Sequence, residues 1–262
     1  MYNKVVIILG MHRSGTSVTA NWLNLCGLNL GDELYGASKF NKNGYYEDIE
    51  FLELHMKILK ECNIHSSGHE DLKKIKLSSK QKDEIKDLII NKNLKLQWGW
   101  KEPRTCLFIK YYKKLIPNAV FLVVYRDYKE VVASLIRREH NLKMPSSRIT
   151  GLNDLIYLVK YQKLVDHYSK IWLYYNKLLI QNLYGHKNVI FTNYNDLLKN
   201  DKKVYNFLIS RGVKIRYISF SEIFDNKLMA EKRNKKVEAN FILKRKIKKT
   251  MQKLDGKIIS NK

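Results

Sequence analysis

The sequence predicts an α/β fold with three layers, α/β/α, in which helices cover both faces of a central parallel β-sheet. Short apolar runs rich in β-branched residues alternate with longer amphipathic segments along the chain. The run at 119–125 is apolar throughout, as expected of a strand buried on both faces of a parallel sheet. Charged residues follow several of these runs, where open α/β sheets bind ligands. We expect one domain over residues 1–262.

The first apolar run, Val5 to Leu9, predicts a strand that leads through a glycine-bearing loop into a helix. Gly10 and Gly15 have the spacing of a P-loop, and such a loop before a helix N-terminus surrounds an anionic phosphate. A nucleoside triphosphate loop needs Lys after the second glycine, but this chain has Thr16 there. The spacing predicts a sheet like that of P-loop nucleoside triphosphate hydrolases. The strong cation in the loop is Arg13 instead of the usual lysine. A plain strand-to-helix turn is the alternative.

Periodicity predicts the remaining elements. Strands are expected over 94–100, 119–125 and 187–192. Helices are expected over 47–60, 79–90 with Ser79 as N-cap, 104–115, 129–138 and 154–184, with a loop and a helix over 194–212. Loops are expected at 32–44 and 141–147. The segment 231–262 predicts a basic amphipathic helix with an apolar side formed by Phe241, Ile242, Ile247, Met251 and Leu254.

Composition limits the class of protein. The net charge of +24, from 49 basic and 25 acidic residues, predicts attraction to polyanions such as nucleotides, acidic glycans and anionic lipid surfaces. The three cysteines are far apart, so neither a zinc site nor a disulfide framework is predicted. The sequence shows no signal peptide and no apolar run of transmembrane length. These features predict a cytoplasmic protein without a metal.

A second candidate site follows the apolar run at 119–125. Arg126 comes directly after it, and Ser134 follows eight residues later. If Arg126 ends a strand and Ser134 lies two turns into the next helix, both side chains face one pocket. A guanidinium and a hydroxyl together suit a phosphate. The alternative is an ion pair of Arg126 with Asp127, with Ser134 as a small packing residue.

At four places the sequence resembles the sulfotransferase family, in particular its short bacterial branch, over about residues 4 to 210. Gly10-Met-His-Arg-Ser-Gly-Thr-Ser17 is similar to the family's 5′-phosphosulfate loop, and 124–134 is similar to its 3′-phosphate motif. The blocks 98–104 and 190–197 are similar to Gly-Trp-Lys-Asp-Pro-Arg and to a strand followed by Tyr-Glu-Asp-Leu. Tyr128 departs from the family's proline, and Glu102 departs from its aspartate.

The resemblance implies transfer of a sulfuryl group from 3′-phosphoadenosine 5′-phosphosulfate (PAPS) to a hydroxyl or amine, without a metal. The 5′-phosphosulfate would be held by Arg13 and the N–H groups of Ser14, Gly15, Thr16 and Ser17. Arg126 and Ser134 would hold the 3′-phosphate, and Tyr194 would contact adenine. Lys101 and Arg104 would stabilise the transferring sulfonate. The family also places Arg, Lys and Gly near its C-terminus on the 3′-phosphate, but 233–236 lacks the glycine.

The general base stays open among three residues. Glu47 lies in Gly44-Tyr-Tyr-Glu-Asp, which resembles a block of the bacterial branch, and is preferred. Glu102 lies beside Lys101 and Arg104, which favours a structural role. His12 lies in the loop itself.

Besides PAPS and its product 3′,5′-adenosine bisphosphate (PAP), we expect a glycan or glycolipid acceptor and peripheral contact with an anionic membrane surface. No specific nucleic acid partner is expected. A P-loop nucleotide kinase is an alternative, but it needs Lys at position 16. A non-catalytic polyanion-binding protein explains the charge but leaves Arg126 and Ser134 unexplained.

Overall fold

A computed structural model describes residues 3–36, 44–70, 72–142, 151–223 and 237–259. The strands in these ranges are β1 (Lys4–Leu9), β2 (Gln97–Lys101), β3 (Val120–Tyr125) and β4 (Val189–Asn193). The helices are α1 (Thr16–Leu25), α2 (Ile49–Glu61), α3 (Ser79–Lys92), α4 (Thr105–Leu115), α5 (Tyr128–His140), α6 (Leu152–Leu183), α7 (Tyr194–Lys199), α8 (Asp201–Ser210), α9 (Phe220–Ile223) and α10 (Phe241–Ile259).

The four strands form one parallel sheet in the order β2-β1-β3-β4. Alternate residues of β1 point to opposite faces, so Ile7 packs against a core from α2 to α6 and α10, whereas Ile8 packs against α1, α7 and α8. Every residue of β3 is buried, because helices cover both faces of the sheet. The predicted three-layer α/β/α fold is confirmed.

The parallel arrangement determines where polar side chains gather. The carboxyl ends of β1, β2 and β3 lie at one edge of the sheet, since the three strands are neighbours and run in the same direction. The glycine-bearing loop, Lys101 and Arg126 therefore emerge at that edge. This is the edge at which open α/β sheets bind ligands.

The start of the second strand was predicted wrongly. Leu94 and Leu96 are 87% and 73% exposed, and β2 begins at Gln97, opposite Lys4 of β1. The alternation of apolar residues begins at Leu94 and so predicts a strand that starts three residues too early. Only the residues from Gln97 onward pair with β1 and are covered by the helix layers. Trp98 is buried, as the same alternation predicted.

Three helix boundaries also differ from expectation. The N-cap of α3 is Ser78 instead of Ser79, and it forms a capping box with Gln81. The region 194–212 holds two helices, α7 and α8, separated by Asn200. Tyr128, which replaces the family's proline, is the first residue of α5, where the Asp127 carboxylate accepts a hydrogen bond from the Lys129 N–H.

The C-terminal helix is shorter than predicted, and its apolar side was partly misassigned. Residues 231–236 lie outside the described ranges, and α10 begins at Phe241 after the Asn240 side chain caps it. Ile247 and Leu254 are buried, and Met251 packs against the same core. Phe241 and Ile242 are exposed, because Leu243 is the first-turn residue that enters the core. The predicted loops at 32–44 and 141–147 fall partly outside the described residues.

Candidate active site

The loop between β1 and α1 is tightly enclosed by β3 and α7. Gly10 and Gly15 have φ values of +156° and +93°, in the region that favours glycine. A Cβ atom at Gly10 would lie 2.3 Å from the Val124 carbonyl oxygen, and one at Gly15 would lie 2.2 Å from the Tyr194 ring. Both glycines therefore allow a close approach as well as an unusual backbone. Arg13, between them, also has positive φ, at +69°.

Arg13 connects this loop to α5. Its Nε donates a hydrogen bond to Ser134 Oγ over 2.8 Å. Its guanidinium has no carboxylate partner among the residues that the structure describes. Burial, followed by the nearby charge of Arg138, lowers the pKa of Arg13. A partly buried guanidinium beside another arginine and a neutral hydroxyl is a binding group for an anion.

Arg126 and Tyr194 extend the same cationic surface. The Arg126 guanidinium lies over the Tyr194 ring, 5.0 Å from its centroid, and forms an ion pair with Glu130. The alternative pairing of Arg126 with Asp127 is wrong, because the Asp127 carboxylate caps α5 instead. Of the residues predicted for the 3′-phosphate and adenine, Arg126 and Tyr194 thus lie together, while Ser134 bonds to Arg13.

The N-terminus of α1 completes the anion-binding features of the loop. Gly15 precedes Thr16 and Ser17 as N-cap and provides no side-chain cap, so backbone N–H groups of the first turn have no side-chain acceptor there. Ser14 Oγ is buried and has no hydrogen-bond partner among the described residues. These donors, together with the helix dipole, favour an anionic group at this end of the helix.

Beside the loop lies a cavity of about 570 Å³. Most of the residues predicted for the transfer step line it: His12, Arg13, Thr16, Ser17, Glu47, Lys101 and Arg104. Arg126, Ser134 and Tyr194 lie outside it. Arg13 connects the residues predicted for the transfer step with those predicted for the 3′-phosphate, because it lines the cavity and bonds to Ser134.

Lys101 connects the loop to the preferred general base. Its buried Nζ donates to Ser17 Oγ at 3.2 Å, to the Tyr45 carbonyl oxygen at 3.1 Å and to Glu47 Oε1 at 2.7 Å. All three ammonium hydrogens are thereby used. Within the described ranges, Glu47 Oε2 has no hydrogen-bond donor, so one carboxylate oxygen remains available in the cavity wall.

Glu102 belongs to a buried network below the cavity wall. Its carboxylate contacts His55 Nδ1 at 2.5 Å and pairs with Arg104, while His55 Nε2 contacts the Tyr112 hydroxyl at 2.7 Å. Burial alone raises the pKa of Glu102, but Arg104 and the His55 hydrogen bond outweigh it and lower the pKa to about 2. Glu102 does not line the cavity. Its contacts fit a residue that positions Arg104.

His12 remains the second candidate base. It lines the cavity, and its Nε2 is buried without a hydrogen-bond partner in the described part of the chain. Burial and the neighbouring His69, Arg104 and Lys101 lower its pKa well below 6.5, so the ring is neutral at pH 7. A neutral imidazole accepts a proton, as the Glu47 carboxylate does.

No protein-family model matches the sequence, and no curated protein is similar to it in sequence. Solved structures are similar to it in fold. The sulfotransferase domain from the curacin biosynthetic pathway superposes with a TM-score of 0.55 at 12% identity, covering 97% of this chain and 99% of that chain. The sulfotransferase domain from the Synechococcus PCC 7002 olefin synthase gives 0.52 at 15% identity, covering 98% and 95%. This chain has the sulfotransferase fold.

A third structure shares that fold, the sulfotransferase STF9 from Mycobacterium avium. Its TM-score is 0.51 at 12% identity, over 89% of this chain and 69% of that chain. Within the described residues of our sulfotransferase-fold chain, no group of three or more His, Cys, Asp or Glu side chains has the arrangement of a metal site. None of its described helices combines the length and apolarity needed to cross a membrane.

Two histidines near the site of this sulfotransferase-fold chain, His55 and His69, were not predicted from the sequence. His55 lies four residues after Phe51, on the buried face of α2, and this helical spacing was a usable signal. His69 lies in an irregular segment and had no periodic signal. Its segment is held by Arg104, whose Nε donates to the Ser66 carbonyl oxygen over 2.6 Å. The rings of His69 and His12 are 4.9 Å apart beside the cavity.

The lowered pKa of His69 predicts that the free energy of unfolding decreases at acidic pH. Burial is the main cause that lowers its pKa from 6.5 to about 4. Between these values the unfolded chain binds a proton that the folded chain does not bind, so stability falls as pH drops from 6.5 to 4. We expect a loss of about 3 kcal/mol in the free energy of unfolding, measured by urea titration at each pH.

The control for this pH dependence is His65, whose side chain is half exposed. His69→Gln should reduce the pH dependence between pH 4 and 6.5 by about 3 kcal/mol and leave the part due to His12, whose pKa burial also lowers. His65→Gln should retain the whole pH dependence. Equal pH dependence in wild type and His69→Gln would assign the acid sensitivity to other groups.

Proposed function

We propose that this chain is a PAPS-dependent sulfotransferase. The observation that carries the proposal is the partly buried Arg13 guanidinium, which bonds to the neutral Ser134 hydroxyl and has no carboxylate partner in the described residues. It lies between a loop of backbone donors and the Arg126 region. PAPS carries a phosphate at the 3′ position and a phosphosulfate at the 5′ position of its ribose. Arg126 and Arg13 offer one cation to each of these anionic groups.

The residues present suit that donor. The Ser14 hydroxyl, which lacks a protein partner among the described residues, and the α1 N-terminus would bind the 5′-phosphosulfate with Arg13. Arg126 and Ser134 would bind the 3′-phosphate. Tyr194, whose ring contacts Arg126, would contact adenine. The bound donor supplies the sulfuryl group and a phosphate leaving group.

For the transfer step, we assign the general base to Glu47. The acceptor oxygen attacks sulfur in line, forming a sulfur–oxygen bond as the bond from sulfur to the phosphate oxygen breaks. The acceptor proton passes to the Glu47 oxygen that Lys101 does not engage. Lys101 fixes the base, while Arg13 stabilises the charge that develops on the leaving phosphate. Arg104 contributes a further cation to the cavity wall.

The cavity supports an acceptor that is partly apolar and carries hydroxyl groups. Ile49, Leu52 and Met56 contribute apolar side chains to its wall, and the Tyr35 and Tyr45 rings lie 5.0 Å apart there. Aromatic rings offer an apolar face beside a polar hydroxyl. We therefore propose a glycan or glycolipid acceptor, with no metal required and a cytoplasmic location.

Calorimetric titration with PAP in the absence of magnesium tests the donor site. Wild type should bind PAP, and Arg126→Ala should weaken binding by about 10- to 150-fold, since a hydrogen bond to a charged group contributes about 1.5–3 kcal/mol. Glu130→Gln is the matched control, because it breaks the same ion pair without removing the cation. It should retain or increase PAP affinity.

Other results would favour the alternatives. Magnesium-dependent binding of ATP without PAP binding would indicate a nucleotide kinase. Binding of heparin or other polyanions that Arg126→Ala leaves unchanged, again without PAP binding, would indicate a non-catalytic polyanion-binding protein.

A further inference from the structure

An apolar face that stays exposed among the described residues lies on the first two turns of α6. Its residues have the i, i+3, i+4, i+7 spacing of a helix face that packs against a core. They are nevertheless exposed: Leu152 by 71%, Leu155 by 49%, Ile156 by 58% and Val159 by 49%. The later turns of the same helix bury Tyr161, Val165 and Tyr168, so the exposed stripe is confined to its N-terminal end.

The start of α10 carries two more exposed apolar side chains, beyond the end of this stripe. Gln162 Nε2 donates to the Glu238 carbonyl oxygen over 3.0 Å, and the Asn240 N–H donates to Asp166 Oδ1 over 2.9 Å. Gln162 follows Val159 by three residues, about 4.5 Å along the helix axis.

Phe241 and Ile242, which come directly after Asn240, are 81% and 65% exposed. Because Asn240 bonds to Asp166, seven residues after Val159, these two side chains begin about 10 Å beyond the end of the α6 stripe along the helix axis. We call these side chains the apolar patch: Leu152, Leu155, Ile156, Val159, Phe241 and Ile242.

The charge around the patch is strongly basic. Six lysine or arginine residues and no acidic residue occur between Phe241 and Leu254. The lysines at 244, 246, 248 and 249 and Arg245 are exposed along α10, and Lys160 and Lys163 are exposed on α6. Of these, Lys244 pairs with Glu238. A row of basic side chains beside exposed Leu, Ile and Phe is the pattern of a helix that lies in the interface of an anionic bilayer.

We propose that the apolar patch and the basic face of α10 dock this protein onto anionic phospholipid surfaces. The apolar side chains would enter the headgroup–acyl boundary, and the lysines and arginines would contact lipid phosphates. A second copy of the chain is a poorer occupant, because it would bring the same basic helix against this one. A protein partner also fits less well, since interface cores are depleted in lysine. The inference is independent of the sulfuryl-transfer proposal.

Vesicle co-sedimentation tests this inference on the full chain. Wild type should sediment with vesicles of phosphatidylcholine and phosphatidylglycerol at low salt, and much less with phosphatidylcholine alone. Phe241→Ser with Ile242→Ser, and separately Leu155→Ser with Val159→Ser, should each weaken binding at least about tenfold, because they remove apolar area from the docked face. Leu94→Ser with Leu96→Ser is the matched control, since these leucines lie outside the patch and are at least as exposed as most of the replaced side chains.

Thermal unfolding and size-exclusion chromatography complete the test. All variants should unfold near the wild-type temperature, because the replaced side chains are exposed. The inference is overturned if wild type does not bind the anionic vesicles, or if the patch variants bind as wild type does, which would leave bulk charge as the cause. It is also overturned if wild type is a dimer that the patch variants convert to a monomer.

Discussion

Replacing Glu47 with Gln is expected to lower sulfuryl transfer by about 10²–10⁴-fold while PAP affinity stays unchanged. The amide would keep the shape of the side chain and an oxygen that accepts the Lys101 hydrogen bond, so the cavity wall should be preserved. It would not take a proton from the acceptor. The measurement is transfer from radiolabelled PAPS to a panel of glycans and glycolipids, together with a PAP titration of the same variant.

The comparison with His12→Asn decides between the two candidate bases. If Glu47 is the base, His12→Asn should lower transfer much less than Glu47→Gln does, since His12 then only lines the cavity. Unchanged transfer in Glu47→Gln together with a large loss in His12→Asn would assign the base to His12. Loss of PAP binding in either variant would indicate damage to the loop instead.

Replacing Lys101 with Met is expected to lower the free energy of unfolding by about 3–5 kcal/mol, because it leaves the Glu47 carboxylate buried without its counter-ion. The Tyr45 carbonyl and the Ser17 hydroxyl lose their donor at the same time. Urea unfolding at neutral pH measures the change. The double variant with Glu47→Gln should regain part of the loss, since it removes the uncompensated charge.

Lys57→Met is the matched control for Lys101→Met. Lys57 also pairs with a glutamate, Glu84, but its side chain is half exposed. Water and salt screen such a pair, so its loss should leave stability nearly unchanged. Equal stabilities of the two lysine variants would contradict a structural role of the Lys101–Glu47 pair.

Local pattern predicted the fold where one element carries its own signal. The β-branched run of β1 and the apolar run of β3 form buried strands, as predicted. Both lie inside the sheet, each between two neighbouring strands. That Arg126 and Ser134 face one pocket stays a prediction: Arg126 follows β3 and pairs with Glu130, whereas Ser134 lies in the second turn of α5 and bonds to Arg13. Pattern failed at Leu94 and Phe241, where exposure depends on how far the neighbouring layer extends.

The site was predictable to the extent that its residues lie in short motifs. The loop, Glu47, Lys101, Arg104 and Arg126 were all identified as candidates. What the sequence did not contain is their pairing. Lys101 bonds to Glu47 and Ser17, and Arg13 bonds to Ser134. These residues are far apart in the sequence, so the pairings appear only in the folded chain. His69 was missed because an irregular segment has no period.

The Arg13–Ser134 hydrogen bond joins residues that are 121 positions apart in the chain. The contact of Gly15 with Tyr194 joins residues that are still further apart and needs β4 in place. Contacts of such large sequence separation form late in folding, because closing long loops costs entropy first. A nascent or partly folded chain therefore lacks this anion site, and a ligand that binds there selects the complete fold and protects it by mass action.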